Sequence, residues 1–180
     1  MSNRLLVVAA IASEAAYVPS GLTCEVIGLG KTAAAAATTR AVLEHRPDLV
    51  VNIGTAGALR DGLAGLHLPS RVLNHDLSAD VIRQLGVNPQ EWLDLDGGDG
   101  SVLATGDQFV TDHQVRARLG QLAHMVDMEG YAVVWACQQL GVPVQVVKYI
   151  SDNADAAAMD WPQLVDRSAQ ALGEWLQVSL

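Results

Sequence analysis

The segment at residues 124–155, HMVDMEGYAVVWACQQLGVPVQVVKYISDNAD, constrains this chain more than any other. It reads as a short strand, an acidic helix start, an amphipathic helix, a Gly-Val-Pro turn and a second strand that ends in acid. Val133, Val134, Cys137 and Leu140 recur at helical spacing, and Gly141 with Pro143 stops the helix. Residues 144–150 are mostly apolar, the pattern of a parallel strand covered on both faces. Glu129 then falls at the helix start and Asp152 just after the strand. Ligands of open α/β sheets bind in the crevice past the carboxyl ends of the strands, so these two acids mark where chemistry is expected.

The rest of the chain repeats the strand-then-helix rhythm. Strands are expected at residues 5–11, 24–29, 49–53, 70–73 and 101–105. Helices are expected at 32–45, closed by Pro47, at 79–85, at 112–122, and from about 161 to 176. The last should bury one face made of Leu164, Val165, Ala171, Leu172 and Trp175. Residues 62–100 are less regular, with a turn-rich patch at 94–100. Strands alternating with helices imply parallel pairing and a three-layer α/β/α sandwich. With 180 residues and no linker or internal repeat, one domain over 1–180 is expected.

Charge narrows the partners. Twenty acidic residues against eleven basic ones leave a net charge of −9, so no basic patch is present to neutralise nucleic acid or an anionic membrane. Aromatic residues make up only 4% of the chain, so Ala, Val and Leu must do most of the packing. Cys24 and Cys137 lie in apolar runs without metal-ligand spacing, and are expected as buried, reduced thiols of a cytoplasmic protein. Arg4 and the apolar run after it resemble a secretory leader ending at Ala12. Twelve residues are short of the usual 15–30 or so, and a first core strand is the expectation. No stretch approaches the roughly 20 apolar residues of a membrane span. No ligand set for a metal or redox cofactor is visible, so none is expected.

Three glycine motifs follow strands. Gly30-Lys31-Thr32 looks like the end of a phosphate-binding loop, but Glu25 stands where that motif needs glycine, and its charge would repel a triphosphate. Gly28-Leu29-Gly30-Lys31-Thr32-Ala33 matches the dinucleotide pattern, yet the following strand ends Ile53-Gly54-Thr55, without the ribose-binding acid. A packing role, letting the alanine-rich helix lie close, is expected there. Gly54-Thr55-Ala56-Gly57 reads as a strand-end loop offering N–H groups and a hydroxyl.

Taken in order, six blocks resemble the nucleoside phosphorylase/nucleosidase superfamily, most closely its methylthioadenosine/S-adenosylhomocysteine nucleosidases. They are Ala9-Ala10-Ile11-Ala12-Ser13-Glu14, Gly28 to Ala33 as above, Asn52-Ile53-Gly54-Thr55-Ala56-Gly57, Thr105-Gly106-Asp107-Gln108-Phe109, Val126-Asp127-Met128-Glu129 and Ile150-Ser151-Asp152-Asn153-Ala154-Asp155. No single block is specific; six in family order are. The resemblance implies a mostly parallel, mixed sheet curling toward a barrel, and a homodimer or larger assembly. It also implies hydrolysis of the N-glycosidic bond of a purine nucleoside or 5′-thioadenosine-type substrate.

By the same resemblance, Asp152 is the general acid at purine N7, with Ser151 beside it. Glu14 positions and activates the attacking water. Met128 and Glu129 lie under the ribose, with the Glu129 carboxylate on its hydroxyls. Thr55, Ala56 and Gly57 line the sugar and base side. Phe109 stacks on the base, and the Val110 backbone meets its hydrogen-bonding edge. Bond cleavage builds positive charge on the sugar and negative charge on the base, so an acid at one end and a carboxylate at the other suit it. Taken singly, each acid also has a plainer reading: surface acid for Glu14, helix-dipole partner for Glu129, turn-former for Asp152. Two alternatives stay open, a phosphorylase using Arg60 or Arg71 to hold phosphate, and a non-catalytic nucleoside-binding module. Two segments are short for this family, the nine residues between Glu14 and Cys24, and the middle segment containing His75-Asp76.

Overall fold

Alternate residues of the central strands bury against different helices, and that alternation builds the layers. The structure, a computed structural model, describes residues 4–155, 158 and 161–179. In β1 (Leu5–Ala9) and β3 (Leu49–Ala58), Leu6, Val8 and Val50 face α1 (Lys31–His45) and α4 (Gly130–Gln139). Their neighbours Val7, Ala9, Val51 and Ile53 turn the other way, onto Leu172 and Leu176 of α5 (Trp161–Ser179). Both faces of these strands are covered, which is why their sequences are runs of Val, Leu and Ile and not alternating patterns. The architecture is the expected three-layer α/β/α sandwich.

β3 is the axis of the sheet. Along Leu49 to Asn52 it pairs in parallel with β1, which also pairs with β2 (Thr23–Val26). Its other side pairs in parallel with β9 (Val144–Asp152) from Val50 to Gly57. At Gly57 and Ala58 its first edge takes up β8 (Met125–Asp127), antiparallel. β8 leads through β7 (Val102–Thr105) and β5 (Arg71–Asn74) to β6 (Trp92–Asp94). β4 (Gly65–His67) runs antiparallel to β9. Between Asn52 and Gly57, therefore, one edge of β3 has no strand beside it. The crevice opens there.

Several expectations need correction. Residues 54–57 are not a loop: β3 continues through them because β9 supplies hydrogen-bond partners as far as Gly57. Asp152 is the last residue of β9 and does not follow it, since a register shift at Ala56/Gly57 lets pairing reach one residue further. The middle segment holds two strands the sequence hid, β4 and β6, each only three residues long and joined to the sheet antiparallel. With them the sheet is mostly parallel and mixed, as the resemblance implied. On α5, Leu164 is exposed whereas Val165, Leu172 and Leu176 are buried. Cys137 is buried and its thiol pushed up to about 12 by desolvation, while Cys24 is only partly buried; both are free. Arg60 and Arg71 are committed away from the crevice, Arg60 to the Gly120 and Ala123 carbonyls, and Arg71 to Asp94 and the Trp92 ring. Among the described residues, no helix is long and apolar enough to cross a membrane.

Candidate active site

Along the open stretch of the β3 edge, Glu14 supplies an acceptor for the Thr55 N–H. Its Oε1 takes hydrogen bonds from the Thr55 N–H and from the Thr55 hydroxyl, both at 2.7 Å. Glu14 is buried, at 4% exposure, so it is no surface acid. Its second oxygen, Oε2, is buried without a hydrogen-bond partner among the described residues. A buried acceptor left unmade costs free energy unless a ligand or water completes it. Gly54 makes room for this: a Cβ there would stand 3.1 Å from Lys148 Nζ and 3.3 Å from Glu14 Oε1.

Glu129 is the residue before α4 but does not cap it. That task falls to its neighbours: Asp127 Oδ2 accepts the Gly130 N–H at 2.8 Å, and Thr105 Oγ1 accepts the Tyr131 N–H at 2.9 Å. The Thr105 hydroxyl donates to Asp127 Oδ1 at 2.6 Å, which fixes both caps. Freed from the helix, the Glu129 carboxylate turns toward Gly30 and accepts its N–H at 2.7 Å. Desolvation first, then the Asp127 charge, pushes Glu129 up to about 7 from an ordinary 4.5, against the pull of Lys148 and the Gly30 N–H.

Lys148 lies beneath these acids on β9. It is 2% exposed, and its Nζ stands 2.9 Å from Asp127 Oδ2. Burial alone would lower its pKa, but the carboxylates of Asp127, Glu14 and Glu129 outweigh that and raise it. A buried cation is therefore shared among three buried acids. Neither Lys148 nor Asp127 was assigned a role from sequence. The available signal was a lone lysine inside an apolar strand, since a fully buried charge requires a partner.

Asp152 closes the opposite end of the crevice. Oδ1 accepts the Ala154 N–H at 2.8 Å and Oδ2 accepts the Ser151 hydroxyl at 2.7 Å. It is a turn-former and a pocket residue at once. Gly57 allows the approach, because a Cβ there would come within 2.9 Å of both Asp152 Oδ1 and Ala154 Cβ. Beside the cavity mouth, the Asp107 N–H donates to Asp76 Oδ2 at 2.8 Å, and Asp107 Oδ1 accepts the Lys31 N–H at 2.7 Å. Lys31 Nζ in turn pairs with Asp76. His75-Asp76 thus anchors the loop that presents Phe109 at the mouth, 46% exposed, and Val110 in the wall.

One cavity of about 210 Å³ is lined by Glu14, Thr55, Ala56, Gly57, Phe109, Val110, Met128, Glu129, Ser151 and Asp152. These are the ten positions that the resemblance pointed to; Arg60 and Arg71 are not among the lining residues. Asp127, Leu29 and Gln108 join them, and no lysine or arginine is among the lining residues. Acids at both ends and an exposed ring at the mouth make a site for a polar, flat, uncharged ligand.

Known proteins resemble this chain in sequence and in fold. A 5′-methylthioadenosine/S-adenosylhomocysteine nucleosidase of Shewanella sp. (strain W3-18-1) is 31% identical over 153 residues, covering 71% of this chain. The match spans 66% of that relative, and 65% of the one from Shewanella baltica (strain OS195), so the chain covers slightly under two thirds of their length. The fold is similar to that of the Helicobacter pylori 5′-methylthioadenosine/S-adenosylhomocysteine nucleosidase, with a TM-score of 0.87 at 24% identity, covering 97% of this chain and 96% of that one. Futalosine hydrolase of Helicobacter pylori strain 26695 superposes equally well, with a TM-score of 0.87, 24% identity and the same coverage. The phosphorylase superfamily model matches residues 14–94 and 100–176. With the family's model matching nearly the whole chain, the protein belongs to the phosphorylase superfamily.

Proposed function

We propose that the protein is a nucleoside N-ribohydrolase that cleaves a purine nucleoside or 5′-thioadenosine-type substrate with water. The observation that carries this reading is Glu14, whose one oxygen is fixed by Thr55 while the other is buried, unpartnered, on a residue of the cavity wall. A carboxylate so held is a ready acceptor for a water proton. In the reaction, the C1′–N9 electrons pass to the base, Asp152 gives a proton to N7, and water oxygen bonds to C1′ as Glu14 takes its proton. Glu129 holds the ribose hydroxyls over Met128, Phe109 stacks on the base, and Thr55, Ala56, Gly57, Val110 and Ser151 shape the walls. The curated relatives' names support this substrate class.

Water is favoured over phosphate by charge. A phosphate dianion would meet Glu14, Asp127 and Glu129 in a cavity lined by no cation, with Arg60 and Arg71 engaged elsewhere. A base-release assay across purine nucleosides, with and without phosphate, tests it. Free ribose is expected at a phosphate-independent rate, and Glu14→Gln is expected to slow release by about 10²–10⁴-fold. Turnover that appears only with phosphate, yielding ribose 1-phosphate, would replace hydrolysis by phosphorolysis. The reading carries with it one domain over 1–180, working as a cytoplasmic homodimer on a small-molecule nucleoside; sedimentation tests the assembly.

The acidity of Glu129 sets a pH dependence. Its carboxylate form accepts ribose hydroxyls, and that form is lost below about 7. kcat/KM is therefore expected to fall as pH drops through neutrality, since this parameter reports the free protein's ionisations. Glu129→Gln should bind more weakly and lose that limb of the profile. An unchanged limb in Glu129→Gln would assign it to another group. Stability runs the opposite way: a carboxyl that holds its proton more tightly when folded lowers stability as pH rises from 4.5 to about 7.

A further inference from the structure

The geometry points to Arg116 as the positioning residue that aims Asp152, an inference that rests on the hydrolase reading for its effect on rate. Arg116 belongs to α3 (His113–Gly120), outside the cavity wall, and its side chain is only 13% exposed. Its Nε–H is shared between two backbone carbonyls, Asn153 O at 2.7 Å and Ala58 O at 3.1 Å. Ala58 ends β3 and Asn153 directly follows β9, so one guanidinium ties together the two strand ends that flank Asp152. Its Nη2 reaches Asp61 Oδ1 at 2.9 Å, a partner 95% exposed.

That tie sits where the backbone least supports itself. The pairing of β3 with β9 shifts register at Ala56/Gly57, a bulge of the kind that re-aims a side chain. Two residues after Asp152, Ala154 adopts φ 49°, a left-handed conformation that is strained for a residue with a Cβ. That residue's N–H donates to Asp152 Oδ1 at 2.8 Å. Left alone, the turn would relax toward ordinary φ and rotate the carboxylate. Arg116, by holding the Asn153 carbonyl, resists that relaxation. Asp112 adds to the rigidity, capping α3 by accepting the Gln114 and Val115 N–H groups.

The test compares Arg116→Ala, Arg116→Lys and Asp61→Ala with wild type in two measurements. The first is amide exchange at Ala154, which reads the turn directly and needs no substrate. The second is the split between kcat and KM for base release. Arg116→Ala is expected to raise Ala154 exchange at least about tenfold and to cut kcat about 10–100-fold with KM within about twofold, as a small misplacement of a reacting group does. Arg116→Lys lacks the Nε–H and should lie between, which keeps the idea testable if the alanine variant fails to fold. Asp61→Ala keeps both carbonyl contacts and should match wild type.

Unchanged exchange in folded Arg116→Ala or Arg116→Lys overturns the proposal, as does raised exchange with unchanged kcat. An Asp61→Ala loss equal to that of Arg116→Ala overturns it too, since the ion pair would then matter and not the carbonyls. A wild-type protein that releases no base refutes the hydrolase reading instead, and the exchange result decides Arg116 by itself.

Discussion

Asp152→Asn is expected to slow base release by about 10²–10⁴-fold, the usual loss when a positioned general acid is removed. Nucleoside affinity should stay within a few-fold of wild type. Asparagine keeps the size of the side chain and an oxygen to accept the Ala154 N–H, now held at 2.8 Å. The Ser151 hydroxyl, now donating to Oδ2, can rotate and accept from the new amide. Shape and turn survive; the transferable proton does not. Quantifying free base over time, beside calorimetric titration with the same nucleoside, separates the two effects. Turnover within tenfold of wild type would remove Asp152 from the chemistry. A wild-type protein that binds nucleosides and turns over none would favour a binding module.

Lys148→Met is expected to cost about 3–5 kcal/mol of folding stability, the penalty for breaking a buried ion pair by removing one partner. For a chain of this size that lowers Tm by about 10 °C. Methionine fills the volume but leaves Asp127, whose side chain is 1% exposed, without its cation. Glu14 and Glu129 lose the same charge, and both are buried. Asp127→Asn in the Lys148→Met background should recover part of the loss, because the orphaned charge goes with it. Denaturant unfolding of the two variants measures this, and a Lys148→Met loss below about 1 kcal/mol would show the pair to be unimportant. Because Lys148 holds its proton more tightly folded than unfolded, its contribution is complete below the ordinary lysine value of 10.5 and fades only as pH rises above it.

Local signals were legible where they were dense. The α4–β9 segment followed from helical spacing, the Gly-Val-Pro stop and one long apolar run. The short β4 and β6 were not, because three residues are too few to show a period and their pairing partners lie elsewhere in the chain. The glycine stretch of β3 misled for a related reason. Gly54 and Gly57 read as a loop, yet they are small because Lys148, Glu14, Asp152 and Ala154 crowd against them from other elements.

The acids divide in the same way. Their order along the chain, and the blocks that carry them, point to Glu14, Glu129 and Asp152 without tertiary information. The chain alone also determined the layer order, since patterning of apolar residues is a local property. What only the tertiary structure decided is ionisation and aim: a lysine shared by three buried carboxylates, a glutamate released from capping by Asp127, an aspartate turned by a bulge. Those depend on which distant groups share one desolvated space, and Coulomb energy and desolvation are functions of distance and burial, not of position in a sequence.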